Sequence, residues 1–117
     1  MKKTTKIRDI KEVKVGHLTY SIARKPAPIM EGMSMTMWGT VNPALTEILI
    51  LDRVSEQREA EVLLHEAVHG LLYTFDMRDH DERLITLLTG ALFSFIRENP
   101  ALVEAIQALP GCGQTKE

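Results

Sequence analysis

A chain of 117 residues with 44% hydrophobic side chains is long enough for one domain with its own core, and a single cysteine, Cys112, excludes an internal disulfide framework. Fourteen Lys and Arg against sixteen Asp and Glu give a net charge of −2, which argues against a protein that is basic throughout and held to nucleic acid by charge. No apolar run reaches membrane-spanning length, the start has no apolar stretch of the secretory kind, and a lone thiol suits a reducing compartment, so the expected setting is the cytoplasm.

Residues 1–14 hold six basic side chains (Lys2, Lys3, Lys6, Arg8, Lys11, Lys14) against Asp9 and Glu12. No aromatic residue interleaves with them, so a solvated start, flexible over residues 1–9, is the expectation rather than a nucleic-acid arm. Residues 10–24 alternate polar and apolar character, with Val13 and Val15 on one face and, after Gly16, Leu18, Tyr20 and Ile22 on one face. This predicts one or two strands, ended by Lys25-Pro26-Ala27-Pro28. Alternation resumes from Met33 to Val41, where Met33, Met35 and Met37 share a face, and such a methionine row reads as packing. Asn42-Pro43-Ala44-Leu45 predicts a turn. Glu47 to Asp52 is apolar on both faces and predicts a strand inside the sheet, paired hairpin-like with the one before it.

Ser55 is a good N-cap and Glu56 suits the first turn of a helix over residues 56–74. A polar loop from Asp76 to Asp81 leads to a second helix ending near Glu98. Its apolar stripe is Leu84, Leu88, Ala91 and Phe95, widened by Ile85, Leu92 and Ile96. Asn99-Pro100 predicts the cap and first position of a third helix, with Leu102, Val103, Ile106 and Leu109 as its buried side and Pro110-Gly111 as its stop. Residues 110–117 read as a flexible tail. The expected architecture is α+β, a single domain over residues 1–117: a small, mostly antiparallel sheet packed on three helices.

Within the first helix stand His65-Glu66-Ala67-Val68-His69, the HExxH arrangement. Residues four apart on a helix lie nearly above one another, so the two imidazoles can grip one metal ion while Glu66, one step round, reaches its solvent. The flanking sequence, Glu61-Val62-Leu63-Leu64 and Gly70-Leu71-Leu72-Tyr73, makes a helix apolar nearly all round. Two histidines and a glutamate buried there need compensation, and a metal supplies it; two ordinary core histidines are the competing explanation. Two imidazoles, a third protein ligand and an open position describe a hydrolytic zinc site. For the third ligand the spacing favours Glu82, at the start of the second helix with Thr86, Thr89 and Phe93 on its face, and His80 and Asp81 are the alternatives. Helix capping would also explain Glu82, because Asp79-x-x-Glu82 has the spacing of a capping box. The longer metzincin signature is absent, since Leu72 and Phe75 occupy the positions of its glycine and third histidine.

In this reading Glu66 is the general base that takes a proton from solvent and delivers it to the leaving amine. Tyr73, His80, Tyr20 and His17 are the candidates for stabilising an oxyanion. An extended substrate could add to a sheet edge at Trp38-Gly39-Thr40, although Trp38 could equally be a core residue beside a bulge.

The chain resembles the small zincin domains of the ImmA/IrrE-type metallopeptidase family, especially short forms encoded by phages and prophages. The resemblance runs through Trp38-Gly39, Ile48-Leu49-Ile50-Leu51-Asp52, Leu63-Leu64-His65-Glu66-Ala67-Val68-His69, Asp81-Glu82-Arg83-Leu84 and Phe95-Ile96-Arg97-Glu98-Asn99-Pro100. It implies zinc held by His65, His69 and Glu82, Glu66 as general base, and a protein or peptide substrate, such as a regulator of a mobile element, cleaved in the cytoplasm. The alternative is a catalytically silent zincin-fold module that docks to a partner protein.

Overall fold

The computed structural model describes residues 5–26, 29–31, 35–52, 54–75 and 81–110. His80, Met33, Cys112 and the tail from residue 111 lie outside the described residues.

Four strands form the main sheet, in the order β1 (Glu12–Val15), β2 (Leu18–Lys25), β6 (Glu47–Leu51), β5 (Gly39–Asn42). β1 and β2 are an antiparallel hairpin with Val15 opposite Leu18. Only Gly16 and His17 are left for its turn, and Gly16 takes φ +66°, as the first residue of a type II′ turn requires. β6 pairs antiparallel with β5 and parallel with β2. The sheet is therefore mixed, with two antiparallel pairings and one parallel. β6 lies inside it, as its two apolar faces predict, and Ile48 and Ile50 are fully buried. β5 is at the edge.

The methionine-rich segment departs from expectation. In place of one strand from Met33 to Val41, β3 (Ile29–Glu31) and β4 (Met35–Met37) make a separate antiparallel ribbon, the chain bends at Trp38, and only then does β5 begin. Gly39 accounts for where β5 lies. A Cβ there would stand 2.5 Å from Val62 Cγ1 and 3.1 Å from the carbonyl oxygen of Leu49, so the strand meets the helix beneath it only because it starts with glycine.

α1 (Glu56–Thr74) packs on the sheet, and α2 (Glu82–Glu98) packs on α1. Ser55 caps α1, its hydroxyl accepting from the Arg58 amide at 3.1 Å. The core joins Val15, Tyr20, Ile22, Ile48 and Ile50 of the sheet to Val62 and Leu63 of α1. Within the basic start, Ile7–Asp9 form a 3-10 turn. The Ile7 amide donates to Glu56 at 2.9 Å, and Arg24 donates to the carbonyls of Ile7 and Ile10, both at 3.0 Å.

At the other end of the chain the apolar faces of the helices lie outward. In α2 only Ile85 and Thr89 are buried, while Leu84, Leu88, Leu92, Phe95 and Ile96 of the apolar stripe are exposed, and the buried side expected of the third helix is missing. α3 (Pro100–Gln107) has no buried residue; Leu102, Ile106 and Leu109 are exposed and Val103 is partly buried. Apolar periodicity selects a face of a helix, but among the described residues no layer covers that face. Asn99 does not cap α3 with its side chain either: its Nδ2 donates back to the Phe95 carbonyl at 2.9 Å, closing α2. Among the described residues no helix is long and apolar enough to cross a membrane.

Candidate metal centre

α1 lies between the sheet and α2, so it has one face toward each and exposed flanks such as Leu71 and Tyr73. Leu63 faces the core, and His65 and His69, one turn apart, point toward the start of α2 with their ring centroids 5.0 Å from each other. Asp81 caps α2, its Oδ1 accepting from the Arg83 amide at 3.1 Å, which commits Asp81 to the backbone and turns Glu82 into the gap. The carboxylate of Glu82 then bridges the two rings. Its Oε2 lies 2.7 Å from His65 Nε2, and its Oε1 lies 3.1 Å from His69 Nε2. Ligand atoms of all three residues fall within 4.8 Å of one another, and among the described residues this is the group able to share a metal ion.

Two imidazole nitrogens and one carboxylate are a donor set of the kind that zinc accepts. The imidazoles are 20% and 13% exposed, the Glu82 side chain 67%. Of the three, Glu82 on the first turn of α2 is the most exposed. Without an ion, the same contacts are hydrogen bonds whose donors depend on the imidazole tautomers.

Glu66 is 6% exposed and faces β5, where a Cβ on Gly39 would stand 3.5 Å from its Cγ. A cavity of about 380 Å³ opens beside it, lined by Trp38, Arg58, Glu61, Val62, Thr86 and Thr89 and reaching His65 and Glu66. Trp38 is 46% exposed, so it is a cavity wall and not the core residue that was its competing explanation. The Arg58 guanidinium stacks 4.2 Å from its ring and pairs with Glu61 at 2.6 Å. Arg58 and Glu61 are site residues that the motif did not single out. Their signal was spacing, seven and four positions before His65, which brings them to the same side of α1.

The remaining candidates separate clearly. Tyr20 is a core residue, 1% exposed, and burial raises its pKa, so it faces no substrate. His17 is in the β1–β2 turn, away from the three ligand candidates in sequence and exposed. Tyr73 is one turn beyond His69 on α1 and 39% exposed. No family model, curated protein or solved structure matches this chain.

Proposed function

We propose that this chain is a zinc-dependent metallopeptidase with a minimal zincin-like fold of the ImmA/IrrE type, hydrolysing peptide bonds in a specific cytoplasmic protein such as a phage or mobile-element regulator. The observation that carries the reading is the convergence of His65 Nε2, His69 Nε2 and the Glu82 carboxylate, with Glu66 buried next to them. Zinc bound there would polarise solvent and the scissile carbonyl. His65 and His69 would hold it from one rigid helix and Glu82 from the next. Glu66 would accept the proton of the attacking water and return it to the leaving amine. Among the described residues β5 is an edge strand of the main sheet, so an extended peptide would add there beside Glu66, and the cavity next to it would receive a substrate side chain.

The test is metal analysis followed by cleavage of peptide libraries. Wild type and Glu66→Gln should each bind about one zinc per chain. The variant should lose at least about two orders of magnitude in cleavage rate, the usual worth of a general base. Equal cleavage by both would refute the mechanism. A zinc-loaded wild type that cuts nothing, yet forms a stable complex with one protein, would favour the silent docking module instead.

A further inference from the structure

α2 turns Glu82, Ile85 and Thr89 toward α1, and its opposite face carries Leu84, Leu87, Leu88, Ala91, Leu92 and Phe95. The large side chains of that face are exposed by 59%, 66%, 42%, 37% and 47% in chain order. No charged residue occurs between Arg83 and Arg97. α3 adds Leu102, Ile106 and Leu109, 45%, 55% and 65% exposed. Together these side chains leave on the order of 700 Å² of apolar surface in water, more than the largest patch of an ordinary monomer and close to what one partner buries in a standard interface.

We infer that this face is a homodimer interface, with α2 of one copy packed on α2 of a second. A stripe without charge offers nothing to steer or select a charged partner, but it matches itself, which is what a two-fold interface requires. The spacing fits helix pairing as well. Leu84, Leu88, Ala91 and Phe95 recur at intervals of four, three and four, the seam of paired helices. Leu88, Ala91, Leu92 and Phe95, at i, i+3, i+4 and i+7, bound a hole of the knobs-into-holes kind with the small Ala91 on its rim. An antiparallel crossing at Ala91 lets the two helices approach closely there and sets Leu87 and Leu88 of each copy against Phe95 of the other. His65, His69 and Glu82 lie on the α1 side of α2, so this packing leaves the metal centre and its cavity open.

The experiment is sedimentation of the full chain over a range of concentrations. Wild type should run at twice the chain mass at tens of micromolar. Leu87→Glu and Leu84→Glu should each run as monomers with an unchanged far-ultraviolet circular dichroism spectrum, because both positions are exposed in the fold. An Ala91→Cys/Cys112→Ser chain should cross-link to a dimer under mild oxidation, since the crossing brings residue 91 of both copies together. A wild type that stays monomeric at hundreds of micromolar overturns the proposal. So does a dimer that survives both glutamates, or an Ala91→Cys/Cys112→Ser chain that is dimeric yet fails to cross-link. A monomer whose leucine face binds lipid vesicles or a different protein overturns it equally.

Discussion

Thr89 is 1% exposed, and its hydroxyl has no hydrogen-bond partner among the described residues, although it lines the cavity next to Glu66. A hydroxyl taken from water without a new partner costs free energy that a methyl of the same size does not. Thr89→Val should therefore stabilise the fold by about 1 kcal/mol, read as a higher urea midpoint with an unchanged slope. Thr89→Ser keeps the unpartnered hydroxyl and loses a buried methyl, so its midpoint should fall below wild type. A Val variant no more stable than wild type would mean that water reaches this oxygen. The neighbouring residues were legible to different degrees. His65 and His69 are a spacing that any helix converts to a shared face, with Glu66 one step round, and Glu82 stood out as the acidic residue opening the next helix. Arg58 and Glu61 carried only their helical spacing from His65, and Trp38 stood out only as a possible sheet edge; that the three meet depends on where β5 crosses α1, beside the missing side chain of Gly39.

Between elements, the tie with most at stake is Arg24 of β2 with Glu59 of α1. Their side chains are 13% and 6% exposed, and the guanidinium also holds the carbonyls of Ile7 and Ile10, so one side chain joins strand, helix and the start of the chain. Arg24→Met leaves a buried carboxylate without its cation, which should cost roughly 3–5 kcal/mol. The double variant Arg24→Met/Glu59→Leu removes both charges and should recover most of that loss. Denaturation of the two singles and the double gives the coupling directly; additive losses would show that the pair does not act as a unit. Helix boundaries were legible in the sequence because Ser55, Asp81 and Pro100 act locally. The parallel pairing of β2 with β6 was not, because alternation marks the face of a strand and says nothing about the direction of its neighbour. The exposure of the side of α3 expected to be buried escaped for a related reason: periodicity reports that a helix has an apolar face, while whether a layer covers it is decided by the whole molecule.

At that largest scale, stability rests on one seam, the α1 face of the sheet, and Tyr20 is among the largest side chains sealed in it. Burial disfavours the phenolate, so the pKa of Tyr20 in the fold lies above the ordinary value of 10.0, and the folded chain holds that proton after the unfolded chain has lost it. Stability changes with pH according to protons bound unfolded minus protons bound folded, a negative difference here, so it must decline as pH rises. Below the unfolded value both states are protonated and Tyr20 adds no slope. Above it the loss grows until pH reaches the raised folded value. Urea midpoints from about pH 9 to 11.5 should thus fall more steeply for wild type than for Tyr20→Phe, which keeps the ring and has no proton to lose. The two proteins differ in nothing but that phenol, so the difference between the two curves isolates Tyr20. Parallel curves would mean that the phenol reaches solvent, and the packing of β2 against α1 would then be looser than the core contacts indicate.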